Sequence, residues 1–336
     1  MIKGTWKRSA AVAVAILAGL AMTATTTACT SDNAVNKPKG DSQKAGGSGK
    51  YGYTIAVVTH GSAGDAFWSV VKAGAQKAGG DMGDKIDYQG NGDPEQQAQL
   101  IDAAVNQKVD GLVVSMANPP ALEASIKKAV AAGIPVITIN SGEAQSKEYG
   151  ALTHIGQSEQ IAGNAVGAEL KKDGAHKLLC VIHEAGNVGL EQRCAGVKAG
   201  NGGSVTNLQV DVNNLPAAQA TVKAKLQSDP SIDGIVTLNG QVADVAEQAI
   251  AAANSKAKLA TFDLNADVAK AVESGKILFA VDQQPYLQGY LAVVMLTQYK
   301  ANLNVLGGGQ PVLTGPTLVT KENAAQIEKY AAAGTR

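Results

Sequence analysis

The sequence predicts an α/β protein made of two doubly wound, parallel-sheet lobes with a ligand cleft between them. Three observations predict it. The first is the stretch 54–80, TIAVVTHGSAGDAFWSVVKAGAQKAGG. Here a β-branched apolar run, Thr54–Thr59, passes through a small-residue turn into a helical period of Phe67, Val70, Val71, Gly74 and Ala78. The second is that this strand-then-helix alternation recurs along the chain, the pattern of a parallel sheet covered on both faces. The third is an internal echo: Asp110-Gly111-Leu112-Val113-Val114 returns as Asp233-Gly234-Ile235-Val236-Thr237. Asn140 and Asp263 each stand thirty residues beyond their Asp, and Met116 and Asn239 each stand six beyond. Equal spacing at strand ends implies two lobes of like topology with facing rims.

Taken in order, Lys85–Gln89 reads as a strand. Asp93-Pro94-Glu95-Gln96 then opens a helix that runs to Gln107, with a cap, a proline at the first position and a capping-box glutamine. Strand 111–115, helix 121–132, strand 135–140 and helix 159–172 follow. Beyond them the strands are 177–183, 205–212, 234–238, 258–263 and 277–282, alternating with helices 190–199, 217–227, 242–253 and 267–274. The helix 286–301 is apolar almost all round and is expected to be well buried.

At 336 residues the chain can hold two cores, and 45% apolar with 17% charged residues is ordinary for a globular protein. A net charge of zero gives no reason to expect a nucleic-acid partner. The N-terminus reads as processing sequence: Lys3, Lys7 and Arg8 precede an apolar stretch, 10–21, too short to span a bilayer. Small residues then lead to Cys29. This has the form of a lipoprotein signal, 1–28, with Cys29 lipidated, although Thr26 stands where such signals prefer Leu. A plain secretory peptide is the other reading. Residues 29–50, rich in Ser, Asn, Lys and Gly, read as a flexible tether. GGSGK at 46–50 lacks the upstream Gly, the following Ser or Thr and the preceding strand of a phosphate loop. Cys180 and Cys194 remain, open between a disulfide in an oxidising compartment and two buried thiols.

The predicted strand ends carry the chemistry, because in open α/β sheets ligands bind beyond them. The first half contributes His60, Asp65, Phe67, Trp68, Met116, Asn118, Asn140 and Ser141; the second, His183, Glu184, Arg193, Asn239, Asp263 and Gln283. Two of the chain's three Phe and two Trp stand side by side there, a stacking surface or a core staple. Asp65 reads equally as a helix cap. Amides, carboxylates and one guanidinium suit a neutral polyhydroxylated ligand, since each hydroxyl both donates and accepts. No nucleophile elbow, H-E-x-x-H or dinucleotide fingerprint is present, and no metal or cofactor is expected. Asp65 and Asp263 keep a glycosidase in view only as a minor alternative. The four histidines, 60, 154, 176 and 183, lack metal-ligand spacing and are expected on the surface or in loops.

Together the segments TIAVVTHGSAGDAFWSVVKAGAQKAG, QAQLIDAAVNQKVDGLVVSMANP, AGIPVITINSG, GLEQRCAG, IDGIVTLNGQVADVAEQAI, LATFDL and GKILFAVDQQPYLQGY resemble the type I periplasmic solute-binding proteins, in the ribose- and galactose-binding branch that serves sugar ABC transporters. The resemblance runs from Tyr53 to Val319. It implies a multi-strand hinge of three crossings, an N-terminal lobe of 51–153 with 284–314, and a C-terminal lobe of 154–283 with 315–336. It implies a non-enzymatic monomer that closes on a monosaccharide or polyol and delivers it to ABC permease subunits with a cytoplasmic ATPase. By position, Phe67 and Trp68 match the family's aromatic pair, Arg193 its ligand arginine, Asn239 and Asp263 its second-lobe polar pair, and Gln283 its hinge glutamine. Asp65 stands where ribose binders have Asn. Asn140-Ser141 replaces an Asp-Arg pair and Asn213 replaces an aromatic, which leaves another pentose, a hexose, a polyol or an inositol open. An anchored sugar sensor and an exported carbohydrate-active hydrolase are the alternatives. The DNA-binding relatives of this fold need an N-terminal helix pair where this chain has its signal and tether.

Overall fold

The structure, a computed structural model, describes residues 50–62 and 64–336. The signal and Cys29, and all of the tether except Lys50, lie outside the described residues. The first run of the chain is β1 (Thr54–Thr59), α1 (Ala66–Met82), β2 (Lys85–Gly90), α2 (Pro94–Asn106), β3 (Gly111–Ser115), α3 (Pro119–Ala131), β4 (Val136–Ile139), α4 (Glu143–Ser146) and β5 (Thr153–Gly156). The second is α5 (Glu159–Lys172), β6 (Lys177–Ile182), α6 (Val188–Asn201), β7 (Ser204–Gln209), α7 (Leu215–Ser228), β8 (Gly234–Thr237), α8 (Gly240–Ala252), β9 (Lys258–Phe262), α9 (Ala266–Ser274) and β10 (Ala280–Asp282). The chain then returns for α10 (Pro285–Asn302) and β11 (Val312–Leu313), and crosses once more for β12 (Thr317–Val319) and α11 (Ala324–Ala332).

These strands make two six-stranded sheets, ordered β11-β5-β4-β3-β1-β2 and β12-β10-β9-β8-β6-β7. The two orders are the same pattern used twice. The echoed aspartates do the same work in each: Asp110 accepts from Thr54 N at 2.9 Å, and Asp233 from Lys177 N at 2.7 Å, each pinning the start of the lobe's central strand. One strand departs from the parallel expectation, β12, which runs antiparallel to β10.

Side chains of each strand alternate between two helical layers. Ile55 and Val57 pack with α1 and α10, whereas Ala56 and Val58 pack with α2 and α3. In the second lobe Leu178 and Cys180 face α5 and α6, and Leu179 and Val181 face α7, α8 and α9. Helix α10 has no fully exposed residue from Pro285 to Tyr299, as its all-round apolar pattern predicts. Two helix pairs approach closely enough to require glycine. A Cβ on Gly74 would meet Tyr286 O at 2.1 Å, and one on Gly163 would meet Arg193 O at 2.1 Å.

The structure adds α4, β5, β11, β12 and α11 to the expected elements; the strands among them run two to four residues, too short for a period to show in the sequence. Since β5 pairs with β4 in the first sheet, the chain first crosses after Gly156, three residues beyond the expected boundary. The other crossings are at 283–284 and 314–316. Thr314 ties all three: its N–H donates to Gly156 O at 2.7 Å and its Oγ1 to Gln283 O at 2.7 Å.

Cys180 and Cys194 are joined, fastening β6 to α6 fourteen residues on. Closing a loop of that length contributes about 3 kcal/mol in the chain-entropy account. Replacing both cysteines with alanine is therefore expected to lower the denaturant midpoint by an amount equivalent to about 3 kcal/mol. An unchanged midpoint would show that the bond adds nothing to the packing there.

Candidate functional site

A cleft of about 770 Å³ lies where the strand ends of the two sheets face each other, within the size range of small-molecule sites. From the first lobe it is lined by His60, Asp65, Phe67, Trp68 and Asn140, and from the second by Glu184, Asn187, Arg193, Asn239 and Asp263, with Gln283 at the hinge. The lobes touch at the rims. Val188 N donates to Ala117 O at 3.0 Å, and Ala66 N to Gln241 Oε1 at 3.4 Å.

The floor is a row of amides and a carboxylate. Asn140 Nδ2 donates to Gln283 Oε1 at 3.0 Å, and Gln283 Nε2 donates to Asp263 Oδ1 at 2.6 Å. Gln288 Nε2 holds the same Gln283 oxygen at 3.1 Å. Asn140 and Asp263, the residues related by the internal echo, both adopt left-handed backbone, with φ of 62° and 68°. Asn and Asp tolerate that region better than other residues with a Cβ, and such strain gathers at functional sites. Asp263 is 8% exposed. Burial pushes its carboxyl up to about 7, against the pull of Arg193 and Gln283.

The walls explain themselves from local rules. Asp65 caps α1, its Oδ1 accepting from Phe67 N at 2.8 Å and Trp68 N at 3.3 Å. Burial raises its pKa. Asn239 caps α8 with Oδ1, which leaves its Nδ2 hydrogens to give. Phe67 and Trp68 meet edge to face at 5.0 Å, and both belong to the core as well as the cleft wall. His60 sits edge-on to Trp68 at 4.6 Å, with its Nδ1 2.7 Å from Ser115 Oγ. Asn187 spans the rims, its Nδ2 3.4 Å from His60 Nε2 and donating to Glu184 Oε2 at 2.8 Å.

Two expected ligand residues do not line the cleft. Met116 is wholly buried against α2 and α3, because strand alternation from Leu112 and Val114 turns it to that face. Ser141 lies behind Asn140, donating its hydroxyl to Asn140 Oδ1 at 3.0 Å. Of the histidines expected on the surface or in loops, His154 departs by lying in β5, while His60 and His183 are in loops and His176 is at the surface. His60 and His154 are buried and His183 half-buried, and only His176 is exposed. His154 is internal because it lies in β5, with Nδ1 2.9 Å from Thr138 Oγ1. Burial lowers the pKa of His60, that of His154 to about 4 and that of His183 to about 3.

Asn187 and Glu159 were absent from the expected set. Asn187 carries only the signal of a helix cap. Glu159 has the look of a first-turn acid yet forms a two-point ion pair with Arg193. Among the described residues no group of His, Cys, Asp and Glu is placed to hold a metal ion.

Two like lobes, a three-segment hinge and a polar cleft between strand ends define a binding protein for a small solute. A periplasmic binding protein domain model matches residues 55–303, and the chain belongs to that family. It is 30% identical to a ribose import binding protein of Haemophilus influenzae over 240 residues, 68% of this chain and 79% of that protein. A fructose import binding protein of Bifidobacterium longum is 28% identical over 296 residues, covering 83% of this chain and 85% of the relative. The crystal structure of a carbohydrate transporter from Acidothermus cellulolyticus 11B in complex with myo-inositol superposes with a TM-score of 0.84. It is 45% identical, across 85% of this chain and 100% of that one.

Proposed function

We propose that this protein is the extracytoplasmic solute-binding component of a sugar ABC importer, and that its ligand is a neutral ring polyol, with myo-inositol the first compound to test. The observation that carries the reading is the cleft itself. Both lobes and the hinge contribute hydrogen-bonding side chains to one cavity of about 770 Å³, beside an aromatic wall. Asp263 and Asp65 accept, Arg193 donates, and Asn140, Asn239 and Gln283 offer both. The apolar face of a ring lies against Phe67 and Trp68. Ligand bound to both lobes favours the closed state by the contacts it makes only there. The likeness to a myo-inositol complex at 45% identity supports the choice of ligand.

In this reading Cys29 carries a lipid anchor, residues 29–50 are the tether, and the protein acts as a monomer that delivers its ligand to membrane permease subunits. It needs no cofactor, and the cleft performs no chemistry on what it holds.

Trp68 provides the test, since it is the one tryptophan beyond residue 28. Titrating the protein lacking 1–28 with myo-inositol, pentoses and hexoses is expected to give a saturable fluorescence change at roughly micromolar ligand for one class. A silent Trp68, together with a melting temperature unmoved by any compound, would remove the polyol assignment.

A further inference from the structure

Arg193 is the cleft's guanidinium, yet most of it is already committed. Its Nε donates to Glu159 Oε2 at 2.5 Å and its Nη2 to Glu159 Oε1 at 2.8 Å. Nη1 reaches Leu238 O at 3.4 Å, and the Cζ lies 4.8 Å over the Phe262 ring. Both side chains of the pair are 3% exposed. Of the five N–H groups of a guanidinium, two are left for a ligand, one on each terminal nitrogen. Burial opposes the charge, but Glu159, with Asp263 behind it, holds the Arg193 pKa above its ordinary value.

Glu159 is itself fixed from the hinge. It is the first residue of α5, directly after the first crossing, and Gln157 Nε2 donates to its Oε2 at 3.0 Å. Around the pair, the cleft is lined by the acids Asp65, Asp93, Glu184, Asp211 and Asp263. Arg193 is the one Arg or Lys among the described lining residues. His60 and His183 add no positive charge near neutral pH, because burial lowers the pKa of both.

We infer that Glu159 sets the charge class of the ligand: by neutralising Arg193 it makes the arginine a hydrogen-bonding fork rather than an anion hook. The cleft then accepts neutral ring polyols and rejects rings that carry carboxylate or phosphate. A lone buried guanidinium would attract such groups strongly, because it recognises both with two parallel bonds. This inference rests on the reading of the cleft as a polyol site and makes Glu159 a positioning residue for Arg193.

Calorimetric titration with myo-inositol, glucuronate and a myo-inositol monophosphate tests it on the wild-type chain, Glu159→Gln and Glu159→Asp. Wild type is expected to bind myo-inositol and to hold both anions at least ~100-fold more weakly. In Glu159→Gln the ratio of anion to neutral affinity is expected to rise at least ~10-fold, and Glu159→Asp, which keeps the charge, should restore the wild-type ratio. A ratio taken on one folded sample does not move through loss of stability alone. An unchanged ratio in a folded Glu159→Gln overturns the inference, as does a wild-type chain that binds glucuronate as tightly as myo-inositol. The latter needs no variant and leaves the polyol reading standing. A wild-type chain that binds no neutral ring at all overturns that reading, and this inference with it.

Discussion

Arg193→Met is expected to lower folding stability by about 3–5 kcal/mol, the cost of leaving a buried charge without its partner. Glu159 is 4% exposed and both of its oxygens face the guanidinium, so no solvent replaces what the substitution removes. Ligand binding should disappear as well, since Arg193 supplies the one cationic donor among the described residues of the cleft. The two losses are separable. Adding Glu159→Met to the same chain removes the stranded carboxylate, and an apolar pair of similar volume is commonly neutral or stabilising relative to a buried ion pair. The double variant is therefore expected to recover most of the stability while binding nothing. Urea unfolding of wild type, both single variants and the double variant measures the coupling directly. Equal stability of Arg193→Met and wild type would mean that the pair is hydrated and contributes nothing to the fold.

Asp263→Asn should have opposite effects on stability and on affinity. In the folded protein burial raises the Asp263 pKa from 3.8 to about 7. The native state thus holds this proton more tightly than the unfolded chain does. The contribution of the protonated carboxyl is fully present below pH ~4 and is lost as pH rises through about 7. Asparagine has nothing to ionise, can still accept from Gln283 Nε2, and tolerates the left-handed backbone at this position. Above pH 7 the variant should be more stable than the ligand-free wild type by about 2–4 kcal/mol, with the advantage fading toward pH 4.

Binding moves the other way. An ionised Asp263 accepts strongly from a ligand hydroxyl, so the variant is expected to lose roughly 10- to 100-fold in affinity. Wild-type affinity should fall as pH drops below about 7, and the variant's should stay level. A matched set of thermal melts and titrations from pH 5 to 8 decides it. A pH-independent wild-type affinity would show that Asp263 does not contact the ligand.

Much of this molecule is legible in its sequence. The β-branched run Thr54–Thr59 and the capped helix that follows are local patterns, governed by neighbours three and four residues away. The internal echo carried further. Asp110 and Asp233 pin equivalent strands, and Asn140 and Asp263 take equivalent left-handed positions on opposite rims. Spacing along the chain located them because both lobes follow one topology, so equal distances in sequence end at equal places in the sheet.

Other features depend on partners distant in the chain. A residue just past a strand end is placed by its local backbone and its neighbours: Asn140, left-handed beyond β4, enters the cleft, whereas Met116 packs with Leu112 and Val114 in the core. The histidines look alike in composition, yet His154 is internal because a four-residue strand, too short to show a period, slots into the sheet. Nothing local separates an acid in the first turn of a helix from one whose charge is buried, so Glu159 gave no sign of its link to Arg193, thirty-four residues on. Periodicity and capping are short-range and survive in the order of residues. Which charges meet is set by the packing of α5 against α6 within the second lobe. The row from Asn140 through Gln283 to Asp263 is completed only when three hinge crossings bring the two lobes face to face.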